Sequence, residues 1–247
     1  MAEGKALIKA GCCGFRMARS EYAKQFRVVE VQQTFYQPPK IETLERWRTE
    51  VPNEFEFTLK AWQLITHEAR SPTYRRLKRE LSEDERQECG AFKPTKIVQE
   101  AWATTLACAK ALRAMRVLFQ CPATFTPSTR HIKDLRQFFS SIERSSELIC
   151  LWEPRGEWHA ELIHELCLEL DLIHVVDPFV TRTVTPKRCY YRLHGRGGWG
   201  YKYEDDELAE LLSMLPRETV SYVLFNNVRM VQDAARFRAL AKKRLRT

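Results

Sequence analysis

Short apolar runs punctuate the chain, and most are followed by a stretch in which apolar residues recur every three or four positions. The runs are ALIKAGC (6–12), RVVEVQQT (27–34), FEFTLKA (55–61), RVLFQC (116–121), LICLWEP (148–154), LIHVVDP (172–178), CYYRLHG (189–195) and SYVLFNN (221–227). Their length and their content of branched and aromatic residues suit buried strands. Between them lie helical patterns such as IETLERWRTEV (41–51), IVQEAWATTLACAKALRAM (97–115), AELIHELCLELD (160–171) and DELAELLSML (206–215). A last one, VQDAARFRALAKKRL, closes the chain. Strands alternating with helices predict a parallel sheet. Eight strands in 247 residues predict an α/β fold, a closed (β/α)8 TIM barrel, as a single domain over 1–247. The alternative, an open doubly wound sheet, usually has fewer strands and a glycine-rich first turn. Here the first turn reads GCCGF, not GxGxxG.

The spacing is uneven. The third run is followed by a long polar insertion, ITHEARSPTYRRLKRELSEDERQECGAF, before the next helix. In a barrel this connection lies on the C-terminal face, where insertions commonly build substrate lids. No internal repeat, low-complexity segment or linker suggests a second domain.

Alternate residues of a barrel strand point inward, and the last inward positions line the pocket. Read that way, nearly every run delivers a polar group at its C-terminal end. The second ends with Glu30 and Gln32, and the third with Lys60. The fourth gives Gln120, the fifth Glu153, the sixth Asp177, the seventh Arg192 and His194, and the eighth Asn226 beside Asn227. Arg192 and His194 share a face while Leu193 points the other way. Burying two such groups is costly unless they are paired, and Glu30, Glu153 and Asp177 are natural partners. Any one of these residues can equally cap a helix or form a structural ion pair, Asp177 before Pro178 and Asn227 before a helix above all.

Three further stretches bear on chemistry. GRGGWG (195–200) lacks the GK[ST] of a nucleotide P-loop. Loops after the seventh and eighth strands of such barrels often hold phosphate, a role open to Arg196. Trp199, Tyr201 and Tyr203 suit packing or base stacking. In WEPRGEW (152–158) the bland reading is a turn with a salt bridge; the functional one puts Glu153 in acid/base work and Arg155 on an anion. Thr66-His67-Glu68 opens the insertion, where His67 is either lid packing or a second acid/base group.

Composition adds less. Lys plus Arg exceeds Asp plus Glu by 40 to 32, a formal charge of +8, which favours an anionic partner such as DNA or RNA. Part of that excess sits in the C-terminal AARFRALAKKRLRT, which reads equally as a solvated helix end. No apolar run spans a membrane, and the N-terminal MAEGKALIKAGCCGF lacks the layout of a signal peptide. The expectation is a cytoplasmic protein. The eight cysteines form no CxxC pair and read as buried thiols, with a disulfide as the alternative in a hyperthermophile. Glu30, Glu153, Asp177, His194 and His67 include metal-ligand types. No HxH, HExxH or DxH spacing occurs, however, and nearby cations would repel a metal, so none is assigned and any cofactor stays open.

In order along the chain, VVEVQQTFYQPP (28–39), FEFTLKAWQLITH (55–67), LFQCP (118–122), WEPRGEW (152–158), YYRLHGRGGWGY (190–201) and VLFNN (223–227) resemble the YecE-like family, domain of unknown function 72. The resemblance covers nearly the whole chain and implies a TIM barrel. It also implies that Glu30, Thr34, Tyr36, Lys60, His67, Gln120, Glu153, Arg155, Arg192, His194 and Asn226 are pocket positions. Departures are GCCGF, where many members have Gly-Thr/Ser-Gly-Trp, and Trp152, where Phe is usual. Similarity of the family to endonuclease IV and xylose isomerase barrels implies nucleic-acid binding or phosphodiester cleavage, by analogy of fold.

The leading expectation is a hydrolase-type enzyme acting on a phosphate-bearing substrate such as nucleic acid. Glu153 or Glu30 would be the base, His194 the acid, and Lys60, Arg155 and Arg192 the phosphate ligands. The expected binding set is Tyr36, His67, Gln120, Arg155, Asp177, Arg192, Arg196 and Asn226. One alternative is a sugar-acid lyase or isomerase using Lys60 as base or Schiff-base amine. The other is a non-catalytic nucleic-acid-binding protein.

Overall fold

The computed structural model describes residues 8–244. Ala6 and Leu7 of the first run, the rest of MAEGKAL and Leu245 of the last helical pattern lie outside the described residues. Eight parallel strands close in sequence order into a barrel. They are β1 (Ile8–Cys12), β2 (Val28–Val31), β3 (Glu56–Lys60), β4 (Arg116–Gln120), β5 (Ile149–Glu153), β6 (Leu172–Val176), β7 (Cys189–Leu193) and β8 (Ser221–Phe225). Each expected run contains its strand. Gln32, Asp177, His194 and Asn226 fall just past the strand ends rather than within them.

Helices fill most of the connections. α1 (Arg19–Gln25) follows β1, and α2 (Gln33–Tyr36) and α3 (Ile41–Thr49) follow β2. After β3 come α4 (Gln63–Thr66), a 3-10 turn (Pro72–Arg76), α5 (Glu83–Glu88) and α6 (Lys96–Leu112). α7 (Thr129–Ser141), α8 (Ala160–Glu169), α9 (Asp205–Ser213) and α10 (Met230–Arg244) complete the set. β6 runs to β7 through a loop without a helix. Pro178 and Pro186, with Val180, Thr181, Thr183, Val184 and Thr185 between them, give that loop poor helix propensity. The loop bonds instead to His174, whose main-chain N–H donates to the Thr185 hydroxyl at 3.1 Å and whose Nδ1 accepts the Val184 N–H at 3.2 Å.

The described residues divide into two compact units. One comprises those through Glu30, Glu50–Glu56, and from Ile173 onward; the other comprises Val31–Thr49 and Phe57–Leu172. In the second unit the aromatic core gathers on Phe92, which lies 5.3–6.1 Å from the rings of Phe119, Phe125, Phe138 and Phe139. α7 supplies two of these. It starts on Ser128, whose hydroxyl accepts the His131 N–H.

The first unit has a polar interior. β1, β7 and β8 pair so that Lys9 lies beside Tyr222 and Tyr222 beside Tyr190, one register layer below Arg192 and Leu224. Tyr222 donates to Glu56 at 2.7 Å, Lys9 bridges to the same carboxylate, and the Tyr190 and Tyr222 rings stack at 5.6 Å. All eight cysteines are free and buried. Among the described residues no helix is long and apolar enough to cross a membrane.

Candidate functional site

Register places the polar strand ends of the second unit. Lys60 pairs with Leu118, and Gln120 pairs with Glu153. Register partners share a face, as do residues two apart in a strand, so Lys60, Gln120 and Glu153 leave the same side of β3, β4 and β5. Lys60 is buried, with Nζ 3.5 Å from the centre of the Phe35 ring. Such a cation on an aromatic face gains from the ring quadrupole. Thr34 Oγ1 donates to the Lys60 carbonyl at 2.7 Å and ties the end of β3 to α2. The edge of His67 meets the same Phe35 ring, at 4.9 Å and 76°.

His67 is buried, and its Nδ1 lies 2.8 Å from Thr66 Oγ1. Burial, followed by the charges of Lys60 and Arg155, holds its pKa down to about 3. The ring is therefore neutral at neutral pH and serves as a hydrogen-bonding group rather than a proton donor. Arg155 bonds to Glu153 Oε1 through Nε at 3.1 Å and Nη2 at 2.9 Å, while 39% of its side chain stays exposed. The Cys121 thiol is pushed up by burial; the Trp152 N–H and Lys60 oppose the shift and Glu153 adds to it. One buried sulfur thus senses both Lys60 and Glu153.

Two glycines fix the local backbone. Gly90, Ala91 and Phe92 are all left-handed, with φ of 79°, 52° and 56°. Their N–H groups bond to the carbonyls of Leu64, Thr66 and Ile65, which α4 leaves unpaired at its C-terminus. A Cβ on Gly90 would lie 2.3 Å from the His67 carbonyl, so the insertion returns onto the histidine with no room for a side chain. In WEPRGEW, a Cβ on Gly156 would lie 2.4 Å from the Phe125 carbonyl, and Trp158 Nε1 donates to the same oxygen at 2.7 Å. Arg155 is held between these anchors and Glu153. Tyr36 lies edge-on to Phe35 at 5.0 Å, with the Arg76 guanidinium over its ring at 4.3 Å.

The first unit gathers a second polar group and corrects several expectations. Glu30 is fully buried and accepts from the Tyr190 hydroxyl at 2.8 Å and from Arg192 Nε and Nη2 at 3.1 and 3.0 Å. Arg192 is only 1% exposed. Glu30 as general base and Arg192 as phosphate ligand therefore give way to a sealed ion pair, since each neutralises the other away from solvent. Cys13 lies against this pair; burial first, then Glu30, push its thiol well up, and Arg192 opposes them.

Asp177 is used structurally. Its Oδ1 accepts the Phe179 N–H and its Oδ2 the His194 N–H, at 3.1 and 2.9 Å, which ties the loop after β6 to the end of β7. His194 Nδ1 sits 3.8 Å from Asp177, and Arg192 Nη1 faces its Nε2 at 3.5 Å. A guanidinium only donates, so Nε2 is the acceptor and the ring proton belongs on Nδ1. Arg196 is held by Glu207 at 3.1 Å and Glu210 at 3.7 Å and lies over Phe179, so its charge is already countered. Asn226 is half-buried and its N–H donates to the Leu193 carbonyl, whereas buried Asn227 bonds to the Tyr201 carbonyl and to Asp233. Tyr203 is fully buried and its hydroxyl accepts the Gly195 N–H, a packing role.

Sequence reasoning missed Phe35, Thr66 and Tyr190. Tyr190 shares the parity of Arg192, a readable signal; the contacts of Phe35 and Thr66 depend on the turn that follows each strand and carry none. Among the described residues no three His, Cys, Asp or Glu side chains converge as a metal-binding group.

The family described as a protein of unknown function, DUF72, matches residues 16–247. The chain belongs to the DUF72 family. It is similar to a DUF72 family protein (EF0366) of Enterococcus faecalis V583, at 22% identity over 98% of each chain with a TM-score of 0.69. A DUF72 family protein (TM1631) of Thermotoga maritima MSB8 matches at 19% identity and a TM-score of 0.67, over 96% of this chain and 99% of the other. A D-psicose 3-epimerase matches at 11% identity and a TM-score of 0.57, over 96% and 99%. At such identities the likeness is one of fold. The comparison with curated proteins returned no match.

Proposed function

We propose that this protein is a hydrolase of phosphate esters and that its substrate class is the phosphodiester of nucleic acid. The reacting group is the cluster of Lys60, His67, Gln120, Glu153 and Arg155. The carrying observation is the shared face of β3, β4 and β5 from which Lys60, Gln120 and Glu153 project, with Arg155 bonded to Glu153; burial first, then Lys60 and Arg155, hold the His67 pKa down to about 3. Two cations acting on one buried neutral ring make a positive field where an anion is favoured. Arg155, held by Glu153 yet part-exposed, is suited to meet a phosphate oxygen, and Lys60 to a single charge. Neutral His67 and Gln120 add hydrogen bonds without adding charge. The formal charge of +8 on the whole chain favours a polyanion over a lone metabolite.

In the proposed reaction Glu153 takes a proton from water. The water oxygen forms a bond to phosphorus as the ester P–O bond breaks. Arg155 meets the charge on the non-bridging oxygens, and the Lys60 ammonium gives a proton to the departing ester oxygen. The test is hydrolysis of bis-(p-nitrophenyl) phosphate and of DNA and RNA oligonucleotides. Glu153→Gln should lower kcat by roughly 10²–10⁴-fold, the usual contribution of a positioned base. Equal rates for wild type and variant, or no turnover of any of these esters, would refute the assignment.

A further inference from the structure

We infer that the first unit carries a second ligand site, for a small phosphate monoester, at the N-terminal ends of β1, β2 and β3. A hollow of about 520 Å³ opens there, lined by Lys9, Arg27, Glu54, Glu56, Arg238 and Lys242. That volume falls in the range of small-molecule sites, roughly 300–1,000 Å³. This inference lies outside the proposed reaction and does not depend on it.

Charge decides the ligand class. Four cations face two carboxylates, and both carboxylates are engaged. Glu56 is bridged by Lys9 and accepts the Tyr222 hydroxyl at 2.7 Å, and Glu54 lies 3.4 Å from Arg27. Arg238 and Lys242 make no hydrogen bond or ion pair among the described residues. They sit four apart on α10, which puts them on one helix face, and like charges at that spacing repel. A dianion between them and Arg27 relieves that repulsion, and a guanidinium offers a phosphate two parallel N–H donors. Ile8, Ala10 and Ala241 line the same hollow and give a carbon skeleton an apolar wall. The C-terminal basic stretch, which reads from sequence as a solvated helix end, thus supplies two walls of a cavity.

The test is calorimetric titration of the full chain at low ionic strength with glycerol 3-phosphate and, separately, inorganic phosphate. Wild type should bind the ester saturably and more tightly than phosphate. Arg238→Gln with Lys242→Gln should weaken binding by roughly tenfold or more, as the loss of charge-assisted hydrogen bonds implies. If that double variant does not fold by circular dichroism, Arg238→Gln alone is read in its place. Lys60→Met should leave this binding unchanged. No saturable binding by wild type, or equal affinity in the Arg238/Lys242 variant, would overturn the inference. Loss of binding in Lys60→Met with retention in the double variant would overturn it too, while leaving the reaction at Lys60 standing.

Discussion

Glu30→Gln should be among the most damaging conservative substitutions in this protein. It removes one charge from a pair whose members are 0% and 1% exposed, and it disturbs three contacts of 2.8–3.1 Å with Tyr190 and Arg192. The buried Arg192 guanidinium then loses the Glu30 carboxylate, and breaking a buried pair costs about 3–5 kcal/mol. In a domain of this size each kcal/mol lowers Tm by roughly 2–4 °C, so a fall of about 6–20 °C is expected. Urea unfolding followed by circular dichroism reads the free energy directly. The double change Glu30→Leu with Arg192→Met should recover most of the loss, because a buried pair replaced by apolar groups is often neutral or better. A loss below about 1 kcal/mol in Glu30→Gln, the range of an exposed pair, would refute the view of a sealed structural bridge.

Three further outcomes follow from the same geometry. The folded pKa of His67 lies near 3 against an ordinary 6.5. Its contribution to stability is therefore complete above pH 6.5 and declines toward pH 3, by up to about 1.4 kcal/mol per pH unit. His67→Gln should flatten that part of the pH–stability curve, and an unchanged slope in urea titrations between pH 4 and 6 would contradict it. Gly90→Ala forces a side chain into a left-handed position 2.3 Å from the His67 carbonyl. Chemical denaturation should show a loss of more than about 1–2 kcal/mol, since strain and clash add. Asn227→Ala removes two 2.7 Å bonds to Tyr201 and Asp233 and should cost about 1–3 kcal/mol in the same assay. Asn226→Ala should cost far less, and the reverse order would show that the two asparagines have been assigned the wrong way round.

The barrel was legible because its strands are short apolar runs at regular spacing, and each expected run holds its strand. Parity also counted Lys60, Gln120 and Glu153 among the polar strand ends, and register puts these three on one side of β3, β4 and β5. What a chain alone does not display is which partner a charged group takes. Arg192 read as a ligand for substrate, but Glu30 lies 162 residues earlier and neutralises it. Arg196 read as a phosphate ligand, but its partners Glu207 and Glu210 sit one helix on, in α9. α7, not among the helical patterns named from sequence, was readable too: Ser128 supplies a cap and the apolar positions 132, 135, 138 and 139 a helical period. The Lys9–Glu56–Tyr222 layer was readable from the same two-residue alternation, two steps back from the strand-end residues Lys60 and Asn226.

The most direct test of anion recognition at Lys60 and Arg155 uses His67 itself as the reporter. NMR titration of its ring protons should give a midpoint near pH 3 in the free protein. With saturating thymidylyl-thymidine phosphodiester the midpoint should move upward, because a bound anion offsets the two cations that depress it. Lys60→Met should raise the midpoint of the free protein and abolish most of the further rise. A His67 titration identical with and without the phosphodiester would contradict the proposed site.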